Sequence, residues 1–166
     1  MSGIIGSTGV RSGIIGIAQN PSSPAFSATP IAQSNVTGDG TAYSIIGSGV
    51  WTEIFDRNSN LSDGTFTAPV TGIYNLNVNI AIVGAGSSNT NILFYIVTSN
   101  REYIYNIDPS DIVQSSLGGF TVNYSVLADM DASDTAFLKV TVSGGSKYID
   151  TTASYSNGAW SGHLVV

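Results

Sequence analysis

The chain contains no cysteine, which excludes disulfides, thiolate chemistry and cysteine-ligated zinc, and leaves its redox compartment open. Charge is scarce too: 10% of the 166 residues are charged, against about 25% in an ordinary soluble domain. Only five residues are Lys or Arg and the formal net charge is −6, so the clustered cations that track nucleic-acid phosphates are missing. The longest uninterrupted apolar run, "ILFYIV" at 92–97, falls far short of the roughly 18–20 residues of a membrane helix, and no membrane insertion is expected. The N-terminal stretch has no basic residues ahead of its apolar ones and is broken by glycine, so no secretory signal is expected. Helical periodicity is absent throughout.

What is present is apolar and uncharged polar sequence. With 42% apolar residues and a mean hydropathy of +0.20, the surface must be built largely from Ser, Thr, Asn and Gly. Few charges remain to interrupt apolar patches or guard strand edges, so much of this surface is expected to be covered by other subunits. From residue 42 onward, apolar residues recur with period two. In "GIYNLNVNIAIV" (72–83), Tyr74, Leu76, Val78, Ile80 and Ile82 share one face, and Asn75, Asn77, Asn79 and Ala81 the other. One face is core; the other is wet or meets a neighbour. "YIYNI" (103–107), "FTVNYSVL" (120–127), "AFLKVTV" (136–142) and "WSGHLVV" (160–166) behave similarly, and "SDGT", "GAGSSNTN", "SGGS" and "SNGA" separate the runs. Short alternating strands between turn signals predict an all-β sandwich, jelly roll or barrel.

The first two dozen residues differ in kind. The string SGIIG occurs at 2–6 and again at 12–16, with Arg11 between the copies, and "QNPSSP" (19–24) has linker composition. The chain therefore divides into an arm, 1–24, and one domain, 25–166. Glycine does not recur every third residue, which excludes a collagen stalk. Each SGIIG has the makings of a docking peptide, with Ile4 and Ile5, or Ile14 and Ile15, for apolar pockets and flanking glycines that permit close backbone approach.

The stretch "SDGTFTAPVTGIYNLNV" (62–78) resembles the signature of the complement C1q-like family of jelly rolls, related in fold to tumour necrosis factor; Gly64, Phe66, Ala68, Pro69, Val70, Gly72, Ile73 and Tyr74 match it. "PAFSA" (24–28) is similar to the family's first strand, "VLADMDASDTAFLKV" (126–140) to its later strand-turn-strand, and "WSGHLV", with Trp160, Gly162 and Leu164, to its ending. The resemblance implies a C1q/TNF-like jelly roll and a homotrimer. It departs where Asn75 and Leu76 replace an aromatic pair, so complement and cytokine functions are not carried over. Within the string, Pro69 marks a sheet edge or the start of a strand, since it cannot donate to a central ladder, and Gly72 is expected to allow a tight bend before the core strand. The arm, in turn, resembles N-terminal pieces of structural proteins in tailed phages of aquatic bacteria. That likeness implies a virion protein at the outer surface, a decoration, cement or fibre component held to capsid or tail proteins through residues 1–24.

Catalytic constellations are not found. The sole histidine, His163, lies in a predicted terminal strand with no Gly-x-Ser-x-Gly elbow, and is expected to face solvent or a subunit interface. Asp129, Asp131 and Asp134 in "DMDASD" have oxygen ligands of the kind calcium takes, but the EF-hand spacing fails, and a solvated turn is the ordinary alternative. No other cofactor is indicated. Asn-x-Ser/Thr strings at Asn35, Asn60 and Asn123 are read as chance, while Tyr103 and Tyr105 are assigned to interface or core, with sugar stacking as the alternative. The expectation is thus a non-enzymatic virion structural protein. A host-surface adhesin for a glycan or protein, and a secreted recognition ligand, are the alternatives.

Overall fold

A computed structural model describes residues 23–111, 118–152 and 158–166. The arm residues Ile4, Ile5, Arg11, Ile14 and Ile15, and Asn157 of the expected "SNGA" turn, lie outside the described residues.

Thirteen strands follow one another among the described residues: β1 (Ala25–Pro30), β2 (Gln33–Thr37), β3 (Ala42–Ser44), β4 (Trp51–Asp56), β5 (Leu61–Ser62), β6 (Thr65–Thr67), β7 (Gly72–Val83), β8 (Asn91–Thr98), β9 (Glu102–Ile107), β10 (Gly119–Met130), β11 (Thr135–Ser143), β12 (Ile149–Thr152) and β13 (Ala159–Leu164). Their described pairings are all antiparallel. The first sheet is organised around β7, which pairs along its whole length with β10 on one side and with β13 and β12 on the other; β1 and β4 continue beyond β13, and β2 beyond β12. The second sheet is organised around β11, flanked by β8 and β9 on one side and by β6 and β3 on the other.

Alternation explains why two sheets form and face each other. Tyr74, Leu76, Val78, Ile80 and Ile82 are fully or almost fully buried, and they meet Ile92, Phe94 and Ile96 of β8 and Leu138, Val140 and Val142 of β11 in one core. Each such side chain removed from water stabilises the sandwich by about 1.5–3 kcal/mol. The run "ILFYIV" is buried on one face only: Leu93, Tyr95 and Val97 point outward from the second sheet and are half-exposed.

The signature residues meet at one place. Phe26 of β1 stacks on Phe66 of β6 at 4.7 Å between ring centroids and meets Trp160 of β13 edge-on at 5.2 Å, while Phe66 lies 5.4 Å from Tyr74. The Trp160 indole donates to the Gly64 carbonyl at 3.1 Å, and the Tyr74 hydroxyl to the Val70 carbonyl at 2.7 Å. Gly162 leaves room for this cluster, since a Cβ there would sit 2.8 Å from both Leu76 and Phe26; Leu164 packs at its margin. Pro69 lies in the connection between β6 and β7. Gly72 corrects its expectation: its φ is not in the left-handed region, and it is the first residue of β7 rather than a bend. It is needed for close approach, because a Cβ would lie 2.4 Å from the Val166 carbonyl oxygen and 2.6 Å from Leu164.

Candidate functional site

The two ends of the sandwich are unlike. At the near end lie the start of β1 and the end of β13, joined where Leu164 N–H donates to the Pro24 carbonyl at 3.1 Å. The turns around 68–71, 99–101 and 131–134 are at the same end, tied by Ser133 N–H to Ala68 (2.7 Å), Ala68 N–H to Asp134 (2.8 Å) and Ser99 N–H to Thr135 (3.0 Å). Pro24, and with it the first described residues, therefore lies at this end.

The Asp cluster sits here, and its carboxylates already have partners. Asp129 pairs with Arg101 at 2.8 Å, Asp131 accepts from the Thr71 hydroxyl at 3.3 Å, and Asp134 accepts from Asn100 Nδ2 and from the Asp131 N–H, both at 2.8 Å. No group of three metal-ligating side chains converges among the described residues. The turn is organised by its own hydrogen bonds.

The far end is a crown of loops: 38–41, 84–90 and 144–148, with 108–111 and Gly118 beside them. It is rigid by construction where described. Gly145 N–H donates to Gly38 (2.9 Å), Thr90 N–H to Ser143 (2.9 Å) and Gly84 N–H to Gly118 (3.0 Å), and Asn89, 5% exposed, accepts from Gly86 N–H and donates to the Ser143 carbonyl. A Cβ on Gly84 would touch the Tyr148 ring at 3.2 Å, so the loops close on that tyrosine. Asp39 and Asp108 stand in these loops, their carboxyls held below the usual carboxylate range mainly by the backbone N–H groups of Thr41 and Ser110 respectively.

The outer face of the first sheet presents a surface of its own. Register places Leu127, Asn75, His163 and Ala25 on one rung, Ser125, Asn77, Ser161, Ser27 and Phe55 on the next, and Asn123, Asn79 and Ala159 on a third. None of these side chains is charged, while Arg57, whose N–H donates to the Ala25 carbonyl, and Asp129, one rung beyond Leu127, stand at the near-end margin; Leu127 and Phe55 are 64% and 47% exposed. Between Phe55 and His163 the small side chains Ala25, Ser27 and Ser161 leave a shallow open hollow of about 390 Å³. His163 is exposed here, as expected of a solvent or interface position. The Asn alternation within 72–83 is the sequence signal for this face. The Ala, Ser and His contributions of β1 and β13 lie too far away in sequence to be joined to it without the register.

On the open side of the sandwich, β9 and β10 pair with β8 and β7 only, and an aromatic group bridges the sheets. Tyr105 stacks on Tyr124 at 5.3 Å, while Tyr103 packs against the core. Burial pushes the Tyr124 phenol well above its ordinary value. A backbone group of Ile96 offsets a little of that rise, although no hydrogen bond of normal geometry reaches the hydroxyl. Tyr103 is also raised by burial, so both tyrosines combine core and margin roles. Asn123 lies exposed within β10, and Asn35 within β2.

No family model and no curated protein sequence matches the chain. Among solved structures, the globular domain of zebrafish complement 1qA protein is similar with a TM-score of 0.57 at 14% identity, over 86% of this chain and 98% of that one. A crystal structure of murine APRIL at pH 8.0 is similar with a TM-score of 0.51 at 8% identity, over 86% of this chain and 99% of that one. The fold is therefore the C1q/TNF-like jelly roll.

Proposed function

We propose that this chain is a non-enzymatic C1q/TNF-like module that acts as a homotrimer on the outside of a tailed-phage particle, held to capsid or tail proteins by its arms. The observation that carries the trimer is the outer face of the first sheet: its central rungs from Leu127 to Phe55 are uncharged, with exposed Leu127 and Phe55 at their edges, and such a surface gains by being covered. C1q/TNF folds usually form homotrimers. The repeated SGIIG supports the anchoring part of the reading. It places four isoleucines in a glycine-rich stretch where a free tail has no use for them.

The arrangement gives the module a direction. Ser23 lies at the near end, and the crown of loops around Tyr148, which carries Asp39, Asp108 and Lys147, is at the opposite end. A decoration, cement or fibre role uses the arm end. Host attachment through a glycan or protein, the second reading, uses the crown and is compatible with the first. The test is deletion of residues 1–20. The expected product is a folded trimer that no longer joins the particle; normal incorporation would falsify the anchoring role.

A further inference from the structure

We propose that the copies of the trimer join knob into hollow: Leu127 of one copy seats beside Phe55 of the next, and Arg57 of that next copy closes on Asp129 of the first. This rests on the homotrimer reading above and names the residues that make its contact. Both parts lie on the outer face of the first sheet, at opposite margins. Leu127 projects from β10, the strand that ends the sheet on one side, and is 64% exposed. The hollow lies beyond β7, on β13, β1 and β4. Phe55 and His163 wall it, and the small side chains of Ala25, Ser27 and Ser161 leave it unfilled.

The two margins match each other in height and in charge. A rotation axis that runs with the strands carries a surface to the next copy without moving it along them, so parts that meet in a closed ring must stand at the same level. Leu127 shares its rung, through Asn75, with His163 and Ala25 of the hollow. Arg57 follows Phe55 by two residues and its N–H donates to the Ala25 carbonyl, which puts it at the near-end lip of the hollow, exposed and without an ion pair among the described residues. Asp129 follows Leu127 by two residues on the same face of β10; Arg101 holds its Oδ2 at 2.8 Å, leaving Oδ1 for a second cation. Counted from the near end, one margin presents an anion and then an apolar knob, the other a cation and then a hollow. The single rung between Asp129 and Arg57, about 7 Å along a strand, is within reach of an arginine side chain.

Seating removes the exposed leucine and the face of Phe55 from water together. Loss of the leucine from such a contact weakens each junction about 10- to 100-fold. The ion pair fixes register more than it adds affinity, because both of its groups stay at the wet margin. Between knob and hollow, Asn75, Asn77 and Ser161 offer a neighbour neutral hydrogen-bonding groups with no charge to desolvate.

The experiment is sedimentation analysis of the full-length chain across a dilution series, beside Leu127→Ser, Arg57→Glu, Arg57→Glu with Asp129→Asn, and, as a control, Ile46→Ser, which changes an exposed apolar residue just past β3 of the second sheet. Circular dichroism confirms that each variant folds. The expected result is a wild-type trimer, weakened about 10- to 100-fold at each junction by Leu127→Ser and about tenfold by Arg57→Glu. Asp129→Asn, which removes the facing carboxylate, is expected to recover most of the Arg57→Glu loss, and Ile46→Ser to change nothing. A trimer that withstands Leu127→Ser, or that Ile46→Ser weakens as much, overturns the knob; an Arg57→Glu defect that Asp129→Asn leaves in place overturns the pairing. Wild-type monomers overturn both the contact and the trimer, whereas a dimer weakened by the same substitutions overturns the trimer alone.

Discussion

Gly64 is held at φ +84°, and a Cβ there would lie 2.2 Å from Nε1 of Trp51, the atom that donates to the Ile45 carbonyl at 2.7 Å. The same residue's carbonyl accepts from Trp160, so one glycine holds both tryptophans in place. Gly64→Ala is expected to cost about 3 kcal/mol or more, combining roughly 1–2 kcal/mol for the left-handed backbone with the loss of the Trp51 bond. A lowered urea midpoint at unchanged slope is the reading that checks it. Tyr124 behaves differently because its burden is protonic. Its phenol is buried and held neutral, so its contribution to stability is present below the ordinary tyrosine value near 10 and is lost as pH rises above it. Tyr124→Phe, which keeps the ring on Tyr105, is expected to leave stability at pH 7 nearly unchanged and to move alkaline unfolding to higher pH. Melting temperatures from pH 7 to 11 test this, and a variant that loses its alkaline tolerance along with the wild type would assign the effect to Tyr43 or Tyr74, which burial also raises.

At the scale of elements, the 131–134 turn joins two long strands through bonds of unequal weight. Asp134 takes two hydrogen bonds, from Asn100 and from the Asp131 backbone, whereas Asp129 and Arg101 form a pair with both side chains about half exposed. Asp134→Ala is therefore expected to cost about 1–2 kcal/mol, and Asp129→Asn at most about 1 kcal/mol, by thermal unfolding. Calcium and chelator are expected to leave both melting curves in place; a calcium-dependent rise would favour the cation reading of this turn. How far the sequence exposes such elements depends on how evenly they alternate. β7 and β10 are legible because twelve paired residues keep one period without interruption, Gly72↔Met130 to Val83↔Gly119. β4 is not, because Ile54 is an extra residue opposite the Ser27–Ala28 step, and the bulge breaks the period in a strand at the sheet's edge. β2 is hidden for a related reason: Asn35 adopts φ 56°, and its partner β12 shifts register between Ile149 and Thr151. The outer face shares this limit. The Asn residues of β7 are periodic in sequence, but that His163, Ala25 and Phe55 complete their surface follows only from which strands lie side by side.

For the whole molecule, the proposed anchoring by the arms carries its own prediction for how the particle responds to damaged strings. Each arm carries two SGIIG strings whose starts lie ten residues apart, and three chains joined through their outer faces would present six from one end of the trimer. Once one string is seated, the others search a small volume, and effective concentrations in the millimolar range for short flexible tethers raise overall avidity by about 10²–10⁴ without any new contact. The dependence on intact strings should therefore be steep rather than proportional. Ile14→Ser with Ile15→Ser leaves three strings per trimer, and Ile4→Ser with Ile5→Ser leaves the other three; either pair alone is expected to lower occupancy on the particle and make it sensitive to dilution. Changing all four isoleucines is expected to abolish it. Copy number per particle, read by quantitative mass spectrometry across a dilution series, separates the cases. If one pair of substitutions is silent while the other abolishes binding, a single string does the docking and the second copy of SGIIG has a different task, such as spacing the head from its support.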